Sequence, residues 1–433
     1  MSSVPIAAPG TNVEEPHGGT SQRRLAIAGM AGNILEWYDF SIYGFFAYAI
    51  GQNFFPSHSK STSLIDAFGV FAAGFLMRPI GALLFGQIGD RLGRKRALTI
   101  SVVAMAVPTV LIGLLPTHDQ IGVMAPVLLV LLRLIQGLSV GGEYTTSVVF
   151  MVEGSASNRR GLIGAFGAAA AFAGVMLGSG VGAIVAAFMS PEALASWGWR
   201  LPFLAGITIG VAGYYVRREL QNTDDVPRVA PPPIGEVLRT QWRRVLQVAG
   251  FKVLESVGFY LMFVYAATYL TEIVGIAKSR ALAINTIGMA AAVVMLPVAG
   301  ALSDRFGRKP MLLLSAGAII VFSWPLFNVL WHPVFHAPLL GQIGFALLIA
   351  TFDGVAPVTA AEAFPANVRC TGVGLSHNLC IALLGGTAPM VATYLIDKTD
   401  NEMIPPLLLI AAAIVSAIFV LSLKETAHEP LSE

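Results

Sequence analysis

Long apolar stretches separated by short polar ones occupy most of the chain, at residues 25–49, 64–88, 97–115, 122–150, 161–188, 201–216, 245–270, 280–302, 310–330, 337–361, 371–396 and 404–422. Crossing a hydrocarbon core takes about 20 apolar residues in a helix, which satisfies its own backbone where no water can. The pattern therefore predicts twelve transmembrane helices in an all-α integral membrane protein. A polar leader, residues 1–22, precedes the first stretch, whose centre carries Glu36 and Asp39. A cleavable signal segment does not tolerate two acids in its apolar core, so this stretch is expected to be retained.

Composition narrows the classes. Of 433 residues, 55% are hydrophobic and 12% charged, about half the charge of a soluble domain, which excludes a water-soluble globular chain. Twelve spans leave no room for a separate catalytic domain, and a net charge of +2 gives no reason to expect nucleic acid. The distribution of Lys and Arg says more, because basic residues resist translocation. With both termini cytoplasmic, nineteen of the 27 fall on cytoplasmic segments, which orients the chain in a cell membrane of the bacterial inner-membrane type. The expected organisation is a leader (1–22), a six-helix bundle (23–216), a cytoplasmic linker (217–243) holding the helix-breaking run Pro231, Pro232 and Pro233, a second six-helix bundle (244–424) and a tail (425–433). Cys370 and Cys380 share one stretch about 15 Å apart in rise, too far to bridge.

The halves echo each other. Gly86-Gln-Ile-Gly-Asp90-Arg91-Leu-Gly93-Arg94-Lys95 follows the second stretch, and Gly300-Ala-Leu-Ser-Asp304-Arg305-Phe-Gly307-Arg308-Lys309 follows the eighth, at an offset of 214. Glu153 precedes Arg160 by seven residues and Glu362 precedes Arg369 by seven, at an offset of 209. Ordered echoes of this kind indicate a duplicated six-span unit, the plan of transporters that bind between their halves. Mechanically, the glycines permit sharp turns, Asp90 and Asp304 suit the positive N-terminal end of a neighbouring helix, and the basic residues suit carboxylates such as Glu153. Together these residues are expected to form a cytoplasmic latch.

The two decapeptides resemble the loop signature of the major facilitator superfamily. Gly32-Asn33-Ile-Leu-Glu36-Trp37-Tyr38-Asp39-Phe40, Phe75-Leu-Met-Arg78-Pro79-Ile-Gly81, Arg133-Leu-Ile-Gln136-Gly137-Leu-Ser-Val-Gly141-Gly142-Glu143-Tyr144 and Trp197-Gly198-Trp199-Arg200-Leu-Pro202-Phe203 resemble, more narrowly, its metabolite/proton symporter family. The resemblance implies two pseudo-symmetric six-helix bundles and proton-driven uptake of small metabolites: organic acids such as 2-oxoglutarate and citrate, or zwitterions such as proline and betaine. Osmolarity-sensing members carry a long C-terminal coiled coil, whereas this sequence stops soon after Lys424. A di- or tricarboxylate is therefore the first expectation, with a zwitterionic osmolyte second.

An ionisable side chain at the bilayer centre costs a few kcal/mol on insertion scales, so each one is a functional candidate. Glu36, Asp39, Arg78 and Arg133 lie near the middles of their spans, Asp353 lies in span ten, and Lys252 and Glu255 stand at i and i+3, where they can pair. Arg133, Gln136 and Glu143 share a stripe of span four, but Arg133 and Glu143 are about 15 Å apart along the axis and need partners elsewhere. Arg133 is expected to face Glu36 or Asp39 across a cavity. A buried acid is neutralised by desolvation and ionised by a neighbouring arginine. A substrate carboxylate that draws the planar guanidinium away would strengthen the acid's hold on a proton, so the two ligands bind with mutual advantage. Tyr260, in an aromatic run of span seven, and His377 of span eleven complete the expected substrate and proton site. The competing reading is a fixed ion-pair network. No metal site is expected, since Pro333 interrupts His332 and His336, and no cofactor either, because phosphate-cradling loops are absent. The expected protein is a monomeric, proton-driven importer with protons, a small metabolite and lipid as its partners; the repeat opposes an enzyme and the mid-membrane acids oppose an open channel.

Overall fold

A computed structural model describes residues 19–57, 59–92, 94–140, 143–220, 234–332 and 336–432. Among the described residues the long helices form twelve rods: α1 (Gly19–Phe45, continued by Ala47–Phe54), α2 (Lys60–Leu76 and Arg78–Leu92), α3 (Arg94–Leu114), α4 (Met124–Ser139 and Glu143–Glu153), α5 (Arg160–Ala187), α6 (Arg200–Leu220), α7 (Ile234–Phe251, Val253–Phe259, Tyr260–Tyr265 and Ala266–Glu272), α8 (Lys278–Phe306), α9 (Arg308–Leu330), α10 (His336–Asp353 and Ala356–Glu362), α11 (Arg369–Cys380, Ile381–Gly385 and Ala388–Thr399) and α12 (Ile404–Ser422). Among the described residues, nine of these rods are long and apolar enough to cross a membrane on those two criteria alone. Each of the twelve apolar stretches coincides with one rod, as two six-helix halves require.

The outer surface is apolar where a soluble protein would be polar. Val294 is 69% exposed, Leu314 and Val321 64%, and Ile184 61%, on helices whose opposite faces are buried. Such a belt is stable only against lipid. At the other extreme, 89% of the most apolar window of α7 is enclosed, which makes it the central rod of its half. The halves meet where α5 lies along α8, α1 touches α7, and α2 packs on α11. Small residues set these distances: a methyl on Gly161 or Gly300 would strike the backbone of the other, so no larger side chain fits where α5 crosses α8.

The breaks have identifiable causes. Pro79 cannot donate a backbone hydrogen bond, and α2 is interrupted two residues earlier, at Met77. Pro357 does the same to α10, so the rod breaks directly after Asp353. In α7 and α11 the segments Tyr260–Tyr265 and Ile381–Gly385 are wound in wide π-type turns, a geometry that collects at functional sites.

One boundary differs from the sequence expectation. Helix α6 continues to Leu220 and α7 starts at Ile234, both inside the stretch read as a linker. Val237, Val245 and Val248 are buried at helical spacing among exposed Glu236, Arg239 and Arg243, a narrow apolar stripe that average hydropathy hides. The proline run itself, Pro231 to Pro233, lies outside the described residues.

Candidate functional site

A cavity lies between the halves, walled by Trp37 of α1, Tyr144 of α4, Phe172 of α5, Glu255, Phe259 and Tyr260 of α7, Asp353 of α10 and His377 of α11. Its free space is about 30 Å³ for the centres of water molecules, room for roughly two. Aromatic edges close it: Trp37 meets Phe259 at 5.1 Å and Tyr144 at 6.1 Å between ring centres, and Tyr144 stacks on His377 at 4.9 Å. Lys252 pairs with Glu255 one turn along α7, and Glu255 Oε1 stands 3.8 Å from His377 Nδ1, too far for a hydrogen bond. Trp37 Nε1, Ser256 Oγ, Tyr260 Oη, Asp353 Oδ1 and both ring nitrogens of His377 are buried without hydrogen-bond partners. A buried polar atom left unsatisfied costs about 1–3 kcal/mol. Five such side chains around one cavity mark a place where a polar guest belongs.

Behind this wall sits the charged layer of the first half. Arg78 Nη2 binds Glu36 Oε1 at 3.3 Å, and its guanidinium lies 5.7 Å from the Trp37 ring. Arg133, wholly buried, lies over the rings of Tyr43 at 4.3 Å and Phe40 at 4.8 Å. Its Nη1 donates to Gln136 Oε1 at 3.0 Å, and Gln136 Nε2 donates to Thr109 Oγ1 at 2.7 Å. Gly206 of α6 brings Thr109 and Asp39 together, since a methyl there would touch Thr109 Cγ2 at 3.0 Å and Asp39 Oδ1 at 3.2 Å. Asp39 Oδ1 has no hydrogen-bond partner. With Glu36 it borders a second cavity, inside the first half and apart from the central one, lined also by Ser101, Met105 and Ser139.

The predicted site residues thus divide. Glu255, Tyr260, Asp353 and His377 line the central cavity, with Lys252 tied to Glu255. Glu36 is matched with Arg78 rather than Arg133, while Arg133 and Asp39 flank the Gln136–Thr109 link. The side chain of Glu143 lies outside the described residues. Thr109, Trp37, Tyr144 and Phe172 escaped the sequence reading. Trp37 and Tyr144 sit inside quoted motifs, directly beside Glu36 and Glu143, and that adjacency was the available signal.

At the end of the molecule where α5, α9 and α11 begin, a second charged cluster joins the halves. Asp304 at the end of α8 accepts the backbone N–H groups of Gly161 (2.7 Å) and Leu162 (2.9 Å), capping α5 of the other half. Glu362 receives Arg160 Nη1 of the first half at 3.0 Å and a two-pronged contact from Arg308, 3.2 Å to Nε and 3.1 Å to Nη2. Arg369 Nη1 reaches back to Glu153 at 2.6 Å. Gly307 takes a backbone φ of 101° to turn α8 into α9, a conformation L side chains rarely adopt. Arg305 is exposed over the Phe306 ring and takes no part in this cluster. The first decapeptide's latch residues, Gly86, Asp90, Arg91, Gly93 and Arg94, have side chains outside the described residues.

The tail folds over this cluster. Thr426 Oγ1 donates to Glu362 Oε2 at 2.7 Å, Arg160 Nη2 donates to the Glu429 carbonyl at 2.6 Å, and Arg369 Nη2 donates to the Ser432 carbonyl at 2.8 Å. Partial burial pushes the Glu425 carboxyl up, but backbone N–H groups of Ala427, Arg308, Lys309 and Thr426 outweigh it and hold it below the usual carboxylate range. Hydrogen bonds to charged groups are worth about 1.5–3 kcal/mol each. Ending the chain after Lys424 is therefore expected to open this end more often, by tenfold or more as an order of magnitude. Maleimide labelling of Val358→Cys, buried against Gly164, measures it in a background lacking Cys370 and Cys380. An unchanged labelling rate would mean the tail carries no load.

Two helical halves that enclose a cavity and are joined by charges at one end have the plan of transporters that bind between their halves. The chain belongs to the Major Facilitator Superfamily, whose family model matches residues 29–376 and 252–432. The Escherichia coli (strain K12) proline/betaine transporter is 34% identical over 427 residues, covering 94% of this chain and 85% of that protein. The alpha-ketoglutarate permease of the same organism is 38% identical over 381 residues, covering 87% and 88%. Among solved structures, the proton:xylose symporter XylE bound to 6-bromo-6-deoxy-D-glucose superposes with a TM-score of 0.75 at 17% identity, over 96% of this chain and 98% of that one. The protein is a membrane transporter and not an enzyme.

Proposed function

We propose that this chain is a proton-driven symporter of a small zwitterion of the betaine or proline kind, with both termini and the charged gate on the cytoplasmic side of a bacterial inner membrane. The central cavity carries the reading. Its wall presents the carboxylates of Glu255 and Asp353 amid aromatic faces, while the cations nearby, Lys252 and Arg78, are already matched with Glu255 and Glu36. Aromatic faces and carboxylates hold an ammonium group well. A dicarboxylate in the same place meets the Asp353 carboxylate with no unmatched cation beside it. The lining thus favours the zwitterion over the di- or tricarboxylate that was the first expectation. The name of the proline/betaine relative supports the zwitterion, and that of the XylE neighbour supports proton coupling.

The dicarboxylate reading has one observation of its own. Arg133 keeps Nε and Nη2 without partners, which leaves part of a guanidinium for an anion, and the alpha-ketoglutarate permease is the relative that fits. Uptake of labelled betaine, proline, 2-oxoglutarate and citrate into proteoliposomes with an imposed pH gradient decides between them. Betaine or proline is expected to accumulate and to leak out when a protonophore is added. Accumulation of 2-oxoglutarate alone overturns the substrate assignment; uptake indifferent to the gradient overturns proton symport.

A further inference from the structure

The unsatisfied atoms of the central cavity are sorted by chemistry. Trp37 Nε1 is a donor, Tyr260 Oη offers another, and their rings stand 6.4 Å apart. Asp353 Oδ1 is an acceptor, and the His377 ring, which offers one donor and one acceptor, stacks on Tyr144 at 4.9 Å, with Tyr144 in turn 6.1 Å from Trp37. The unpartnered side chains are enclosed, with 6% of Trp37 exposed, 2% of Tyr260, 3% of Asp353 and 2% of His377. The donors Trp37 Nε1 and Tyr260 Oη therefore lack an acceptor, and Asp353 Oδ1 lacks a donor or cation.

We propose that the substrate is held in a single orientation, its carboxylate on Trp37 Nε1 and Tyr260 Oη and its ammonium group over the Tyr144 ring against Asp353, with His377 positioning that ring. The inference rests on the zwitterion reading and deepens it. Trp37 and Tyr144 belong to the first half; Tyr260, Asp353 and His377 belong to the second. A zwitterion is bound by both halves at both of its ends, so its binding draws them together. A cation without a carboxylate satisfies the Asp353 end alone. It occupies the site, competes, and leaves Trp37 and Tyr260 as they were.

The test compares KM for betaine uptake with inhibition by choline, which has the quaternary ammonium and no carboxylate. Choline is expected to compete in the unaltered protein. Trp37→Phe and Tyr260→Phe keep the rings and remove the donors; each is expected to raise the betaine KM about five- to hundredfold, from the 1–3 kcal/mol of a lost buried hydrogen bond, with choline inhibition unchanged. Asp353→Asn is expected to weaken both ligands, and Asp353→Glu to restore part of each. Equal weakening of choline and betaine by Trp37→Phe, or failure of choline to compete, overturns the orientation. Should Asp353→Asn fail to fold, the two donor variants decide. If the unaltered protein takes up neither betaine nor proline, the zwitterion reading fails first; uptake insensitive to all these variants rejects the orientation alone.

Discussion

Asp39→Asn is expected to leave a protein that exchanges substrate across the membrane but no longer concentrates it. In proteoliposomes, a pH difference of one unit supplies about 1.4 kcal/mol per proton, enough for roughly tenfold accumulation at one proton per substrate. The variant should fall to equal concentrations on the two sides while keeping counterflow of labelled substrate. The reason is positional. Asp39 is buried, its Oδ1 unpartnered, and it borders a cavity separate from the central one. Between it and the aromatic wall lies the series Thr109, Gln136, Arg133, whose guanidinium rests on Tyr43 and Phe71. Phe71 in turn meets Tyr260 at 6.0 Å. An uncharged amide at position 39 is close in shape and cannot carry a proton through the cycle. Persisting accumulation would move the coupling role to Glu36, Glu255 or Asp353.

The second large effect is expected at Glu362. Its carboxylate is the counter-charge of two buried arginines, Arg160 and Arg308, one from each half. Removing one partner of a buried ion pair costs about 3–5 kcal/mol, because the remaining charge has nowhere to go. Arg308 keeps Asp304 at 2.9 Å, whereas Arg160 loses its ion pair and regains solvation only when the halves part. Glu362→Gln should therefore shift the population toward the form open at this end by roughly tenfold or more. Spin labels at Asn158 and Asn367, exposed positions two residues before Arg160 and Arg369, measure the shift as a longer interlabel distance. An unchanged distance distribution would show that the cluster is ornamental.

The rods and four residues of the charged cluster between the halves could be read from the sequence because both rest on local regularities. Each apolar run became one rod, and Glu153, Arg160, Glu362 and Arg369 emerged from their common offset of 209. What the offset could not give was the pairing. Each glutamate lies seven residues from an arginine of its own half, yet Glu362 binds Arg160 and Glu153 binds Arg369, each pair joining the halves. A repeat makes the two arginines equivalent on paper, and only the docking of one bundle on the other chooses between them. The same limit applied to the acids of α1. Helical phase places Glu36 and Asp39 three residues apart on neighbouring positions, but the identity of the opposing arginine depends on how α2 and α4 are rotated about their axes. The rest of the cavity's aromatic lining was harder still, because most aromatic residues in such a chain face lipid or fill space, and Phe259 looks no different in sequence from Phe263.

The narrowness of the central cavity bears on the half of the cycle that carries nothing. Net uptake requires a carrier to come back empty, and a site shaped only by its cargo would stall there, bridged by nothing. Here Trp37 of the first half meets Phe259 of the second edge to face at 5.1 Å, a contact the protein makes with its own side chains. Contacts of this kind join the halves without help from cargo, which is what an unladen return stroke requires.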